Sequence, residues 1–369
     1  MLTNKKILIV GAGITGLTIA ALLRINNNTQ DITIIEERDH IGGNLYDYTQ
    51  DGVIVQKYGP HVIHTNQKKI WDFIVSHTDV YRYQHKVVGS IDGQYLPMPV
   101  NLNTLKCVLS DWLYKKFEEC MHKYYKYDIE ISLYDMLYHH DDIIKTVANC
   151  IYENVLLNYT MKQWDKKPEE VDPEMLRCAT FKFNRDDRYY DEKYQGVPTY
   201  GYTKLCETIC TTYKLDVNLN TSFKRHMINE YDIIIYTGSI DNEELCDVAY
   251  ANSLPYVGVS LSIQQQRNIQ PAAVVNYPNM YNYTRITDYS YFNKEFNKDY
   301  TYISVEYPYI CNESKFYPSS NGDHIKLYET IKNTLPKHVI PCGRLGNYKH
   351  MSIDQAIEEA FEIVQKFKK

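Results

Sequence analysis

KKILIVGAGITGLTIAALLRINN, residues 5–27, decides the fold. A short apolar run stops at glycine, and the apolar positions after it, Ile14, Leu17, Ala20, Ala21 and Leu22, fall at helical spacing. That order predicts a strand, a tight turn and a helix. Gly11, Gly13 and Gly16 place G-x-G-x-x-G at the junction. The first glycine permits the turn, the second lets backbone amides approach a pyrophosphate, and the third lets helix pack on strand. ITIIEER, residues 32–38, reads as a second, nearly all-apolar strand ending in acids, as a parallel strand buried on both faces should. Glu36 then stands about 20 to 25 residues beyond the motif, where a carboxylate takes the adenosine ribose hydroxyls. A dinucleotide is predicted, and on these residues NAD and FAD both remain open.

Outward from this βαβ unit the pattern changes. Residues 105–127 and 143–164 are long amphipathic runs and predict a mostly helical insertion. Short alternating runs such as VGVSLSI, AAVVNYP and YTYISVEYP predict antiparallel strands between about residues 177 and 200 and again between 254 and 309. YDIIIYTG, residues 231–238, reads as a buried parallel strand that returns to the first domain. MSIDQAIEEAFEIVQKFKK closes the chain with helical spacing and an acid-first, base-last order that suits the helix dipole. The expected class is α/β: a Rossmann-like dinucleotide-binding domain (1–85, 201–249 and 325–369), a helical insertion domain (104–166) and an antiparallel β-sheet domain (86–103, 167–200 and 250–324).

Bulk composition narrows the partners. The net charge is −6, which argues against a nucleic-acid surface rich in Lys and Arg. Nine cysteines, an odd number without CxxC spacing, read as reduced thiols rather than a disulfide framework. No apolar run is long enough to span a bilayer and no leader precedes the first strand, so the expectation is a soluble cytoplasmic protein without a membrane partner. Tyrosine is abundant, 36 against 10 Phe and 3 Trp, a bias that genome composition accounts for as readily as function.

RDHIGGN, ending in Gly42, Gly43 and Asn44, resembles the glycine-pair motif of two-dinucleotide flavoproteins, which favours FAD. With GGNLYDY followed by KYGPHVIHT, the chain resembles the UDP-galactopyranose mutases, flavoenzymes that interconvert pyranose and furanose forms of a nucleotide sugar. The likeness continues in family order through YLPMPVNLNT, NYTMKQW, YQGVPTYGYTKL, IIIYTGSID, YTRI, KFYP and CGRLGNYKH.

This resemblance implies an isomerase of carbohydrate metabolism that makes galactofuranose, with FAD reduced by NADPH or NADH. Reduced flavin N5 attacks the anomeric carbon, the nucleoside diphosphate leaves, and the sugar recloses without net redox. The polypeptide supplies orientation and counter-charge. Gly11, Gly13, Gly16, Glu36, Glu37, Arg38, Gly43, Asn44, His61, Gly238, Arg344 and Ser352 fall at cofactor positions. His61 lies beside the isoalloxazine, with the Gly59-Pro60 turn aiming it and His64 as a structural neighbour. Two histidines at this spacing also suggest a metal, but no nearby Cys, Asp or Glu makes a third ligand, so none is expected. Lys182 and Arg285 join His61 as catalytic positions, Arg285 as the pyrophosphate arginine. Tyr159, Trp164, Lys182, Tyr189, Asn252, Arg285, Phe316 and His350 fall at substrate positions, with Tyr317 and Asn276 in matching sheet segments. The partner is a nucleotide-diphosphate sugar. Homodimers are common among similar enzymes, although no interface signature stands in the sequence.

Departures from the pattern gather where substrate binds. Lys182 occupies the mobile-loop arginine position, keeping the charge and losing the planar fork, with Arg177, Arg185 and Arg188 near enough to stand in. Asn252 replaces a second substrate arginine, Phe316 and His350 replace tyrosines, and Cys342 replaces a glycine. A flavin-dependent hydrolase, a net-redox FAD oxidoreductase and a flavin binder without catalysis therefore stay open beside the mutase.

Overall fold

The structure, a computed structural model, describes residues 5–26, 31–164, 179–267, 270–294, 300–310, 315–318 and 322–367. It divides into two compact units. The first comprises residues 1–83, 192–259 and 310–369, and the second comprises residues 84–191 and 260–309.

In the first unit, five strands run parallel in the order Val217–Asn218, Asp31–Ile35, Lys6–Val10, Ile233–Tyr236 and Val339–Pro341. Alternate residues of a strand point to opposite faces, and both faces here are covered. Ile7 and Ile9 pack with the helices Ile14–Asn26, Tyr202–Tyr213 and Ile353–Lys366, whereas Leu8 and Val10 pack with Phe223, Tyr236, Leu254 and Tyr256. Burial on both sides is why ILIV and IIIY lack the polar alternation of a half-exposed strand. The second strand stops at Ile35, one residue short of the acids, so Glu36 begins the loop and not the ladder.

Two long-range contacts fix the rest of this unit. The buried carboxylate of Asp47 accepts hydrogen bonds from the backbone N–H groups of Tyr202 (2.6 Å) and Thr203 (2.9 Å), capping the helix Tyr202–Tyr213 from a distant part of the chain. Strand Tyr194–Pro198 pairs antiparallel with Ile63–Thr65 and with Val80–Tyr81.

The second unit contains a sheet in which Thr301–Ile310, Arg285–Asp288, Val274–Asn276, Val87–Ile91 and Gln94–Met98 are neighbours. All of these pairings are antiparallel except that of Val274–Asn276 with Val87–Gly89. Asp92 and Gly93, both at positive φ, form the two-residue turn of the Val87–Met98 hairpin. The helical segment runs Leu102–Val108, Asp111–Tyr124, Leu133–Leu137, Asp142–Ile151 and Leu157–Trp164, with a π-type turn at Tyr152–Leu156. Asn101, Ser110, Ser132 and Asp141 cap the first four of these helices with side-chain oxygens. Among the described residues no helix is long and apolar enough to cross a membrane.

Candidate active site

The first unit holds a cavity of about 660 Å³ at the ends of its parallel strands. Its floor consists of two glycine loops in backbone contact. Gly11 sits at φ +101°, and a Cβ there would come within 2.1 Å of Thr237 Oγ1. The Gly42 N–H donates to Ala12 O at 2.9 Å, and a Cβ on Gly43 (φ +57°) would lie 3.1 Å from Gly13 Cα. Side chains at these positions would fill the cradle that a pyrophosphate needs. Gly16 does not line the cavity. It lies behind the wall, where a Cβ would meet Gly11 O at 2.2 Å, so its role is helix-to-strand packing.

Glu36 is buried on the cavity wall, its Oε2 accepting from Ala12 N (2.8 Å) and its Oε1 from Arg38 N (3.0 Å). A carboxylate accepts at about four lone-pair directions, so these two bonds orient Glu36 and leave capacity for hydroxyl donors. Arg38 lays its guanidinium 4.6 Å over the Tyr58 ring and gives Nη2 to Asn44 Oδ1 at 3.1 Å. Its Nη1 is buried with no hydrogen-bond partner among the described residues, a donor waiting for an acceptor on a cavity-lining side chain. Together with the glycine cradle, this orphan donor fits a dinucleotide. Glu37, Gly238 and Ser352 also line the cavity.

His61 lines the same cavity. Its backbone N–H donates to Gln56 Oε1 (2.6 Å), its carbonyl accepts from Tyr202 OH (3.0 Å), and its Nδ1 lies 2.9 Å from Gly59 O. A carbonyl can only accept, so Nδ1 carries the proton, and the turn at Gly59 (φ +99°) sets the tautomer and aim of the ring. His64 points elsewhere, with Nδ1 3.0 Å from Glu192 Oε1. Among the described residues no group of three or more His, Cys, Asp and Glu is placed to hold a metal ion.

Some of the residues that depart from the family pattern also reach this cavity. Asn252 and Phe316 line the cavity and His350 does not. Lys315, which sequence reasoning passed over inside KFYP, supplies a cation beside Asn252. Its Nζ donates to Asp241 Oδ1 (2.9 Å), Ser239 Oγ (3.1 Å) and Asn252 Oδ1 (3.3 Å). Arg344 is anchored to Met351 O at 2.8 Å and lies 5.1 Å over the Tyr317 ring, on which His350 stacks at 5.6 Å. Burial lowers the Arg344 pKa without taking its charge. Packing around His350, and next the Arg344 charge, push that imidazole down to about 4. His350 is therefore neutral at pH 7 and gives no positive charge to a diphosphate.

The remaining candidates belong to the second unit. Arg285 donates Nε–H to Glu306 Oε2 at 2.6 Å from the directly opposed strand position. Lys182 is 4% exposed and donates to both oxygens of Asp191 at 2.7 Å. Arg185 pairs with Glu118 and Arg188 with Asp186, so the cations expected to stand in for the loop arginine are already tied to carboxylates; Arg177 lies outside the described residues. Tyr189 is exposed, with ring contacts to His85 and Tyr190. Tyr159 lies on helix Leu157–Trp164, and the side chain of Trp164 is outside the described residues.

Comparison with known proteins supplies the family. Residues 154–350 match the UDP-galactopyranose mutase family, and residues 9–76 match the NAD(P)-binding Rossmann-like domain. The chain belongs to the UDP-galactopyranose mutase family. It is 29% identical to a probable UDP-galactopyranose mutase of Klebsiella pneumoniae, over 99% of this chain and 95% of that one. It is 28% identical to a dTDP-fucopyranose mutase of Escherichia coli, over 98% of each. The crystal structure of a reduced UDP-galactopyranose mutase superposes with a TM-score of 0.68 at 16% identity, covering 99% of this chain and 96% of that one. As a member of the mutase family the chain is an isomerase, its cofactor is FAD and its substrate is a sugar nucleotide.

Proposed function

We propose that this enzyme interconverts the pyranose and furanose forms of UDP-galactose or a closely related sugar nucleotide. The observation that carries this reading is the cavity itself: two glycine loops in backbone contact, an oriented Glu36 and a His61 aimed by its bond to Gly59, all lining one cavity. Gly11, Gly13, Gly43 and Asn44 would hold the pyrophosphate of FAD, with Arg38 offering its orphan Nη1 and Glu36 taking ribose hydroxyls. When bound and reduced, by a nicotinamide cofactor in this reading, FAD supplies a nucleophilic nitrogen for the anomeric carbon, with no net electron transfer.

The chain's own residues do the rest. His61 holds a proton on Nδ1 against Gly59 O, which keeps its imidazole plane fixed, so it orients what it touches. Arg285, fixed by Glu306, places a guanidinium charge for a diphosphate, where negative charge grows as the leaving group departs. Tyr159 offers an aromatic face to the nucleobase. The first unit is then the FAD-binding part, and the second carries contacts to the nucleoside diphosphate.

The test is direct. FAD-loaded protein is reduced with dithionite, given UDP-galactose, dTDP-fucose and related sugar nucleotides, and followed by NMR. A furanose product is expected. Free sugar with released nucleoside diphosphate would make the enzyme a hydrolase, and silence across the panel would overturn the reading.

A further inference from the structure

In the second unit, the π-type turn Tyr152–Leu156 and the helix Leu157–Trp164 present Asn154, Asn158 and Lys162 at intervals of four, which places them on one face. All three engage the turn at residues 277–283. The Asn279 side chain donates Nδ2–H to Asn154 O at 3.0 Å and accepts on Oδ1 from Asn158 Nδ2 at 3.0 Å. Lys162 Nζ donates to the backbone carbonyls of Tyr277, Tyr281 (2.9 Å) and Tyr283 (3.2 Å).

An ammonium has three N–H donors, and here each is directed at a main-chain oxygen of one short turn. That turn is stiffened by its own aromatic rings: Tyr281 stacks on Tyr283 at 4.7 Å, and Tyr277 meets both edge-on at 5.5 and 5.1 Å. It joins strand Val274–Asn276 to strand Arg285–Asp288, and Asn276 is the register partner of Arg285. The fastened helix carries Tyr159, one turn before Lys162.

We infer that Lys162, Asn158 and Asn279 are positioning residues for the nucleotide: they fix the helix bearing Tyr159 against the hairpin bearing Arg285, so that base and diphosphate are gripped at a set separation. This rests on the functional reading above, in which Tyr159 and Arg285 touch opposite ends of one nucleoside diphosphate. Holding two contacts at a fixed distance makes the second binding event intramolecular, so the fastening acts on the whole nucleotide and leaves its fragments nearly untouched.

Lys162→Met and Asn279→Ala, prepared as FAD-loaded full-length protein, are titrated with UDP, uridine and inorganic pyrophosphate by calorimetry or ligand-observed NMR. UDP affinity is expected to fall at least tenfold in Lys162→Met and measurably in Asn279→Ala, while uridine and pyrophosphate each change by less than threefold. Unchanged UDP affinity in both variants overturns the inference. So does a parallel loss of uridine affinity, because that marks a helix that has unravelled rather than shifted. Wild-type protein that ignores UDP and dTDP alike removes the functional reading itself, an outcome distinct from either variant result.

Discussion

Glu306 meets the Nε–H of Arg285 at 2.6 Å from the directly opposed position of the neighbouring strand, and it does so with a carboxylate only 2% exposed. The ion pair is therefore asymmetric: the acid is inside, while the base is partly exposed. Removing Arg285 strands a buried charge, which typically costs about 3 to 5 kcal/mol. Arg285→Ala is expected to lower turnover at least tenfold and also to shift the urea midpoint down. Adding Glu306→Gln to that variant should recover much of the stability and none of the rate. Urea denaturation and initial rates separate the two effects, and a stable, fully active Arg285→Ala would contradict the assignment.

His61→Ala is expected to lose at least tenfold in turnover with flavin still bound, because the ring lies on the cavity wall whereas the backbone anchors to Gln56 and Tyr202 survive the substitution. Absorbance near 450 nm after gel filtration reports the flavin. A full rate would take His61 out of the site.

Two glycines with nearly equal φ should behave differently. Gly11→Ala combines a left-handed φ of +101° with a Cβ 2.1 Å from Thr237 Oγ1, so it is expected to abolish FAD retention. Gly59→Ala has φ +99° and open space around the new methyl, which leaves backbone strain of about 1 to 2 kcal/mol and intact flavin binding. Equal flavin-to-protein ratios in the two variants would refute the steric argument.

Acid should weaken the fold through His350. Its folded pKa, about 4, lies below the unfolded value near 6.5, so between these limits the unfolded chain binds more protons. Stability from this group is present above pH 6.5 and is lost as pH falls toward 4. Wild-type Tm should therefore drop more than that of His350→Phe between pH 7 and 4.5. The opposite ordering would mean that the imidazolium is welcomed where it sits.

The parts of this enzyme that were legible in sequence are those whose cause is local. G-x-G-x-x-G announces itself because turn, close approach and packing all fall within six residues, and Gly59-Pro60 shows the turn that aims His61. Partners brought from far away leave no such trace. Nothing near Arg185 in the sequence says that Glu118, 67 residues earlier, will hold it. Strand Tyr194–Pro198 falls in the stretch read as antiparallel sheet but pairs with Ile63–Thr65 and Val80–Tyr81, a choice made by tertiary packing rather than by periodicity. Lys315 was visible as a letter and not as a partner of Asp241, because 74 residues separate the two.

The crowding around Lys315 has a consequence for any anion that comes to that wall. With Asp241, Ser239 and Asn252 already receiving its N–H groups, a newcomer cannot simply add a bond; it must evict an incumbent, most readily the 3.3 Å amide of Asn252. Affinity gained there is the margin between one acceptor and another. This corner of the protein therefore ranks ligands by how well they displace an amide oxygen from the ammonium.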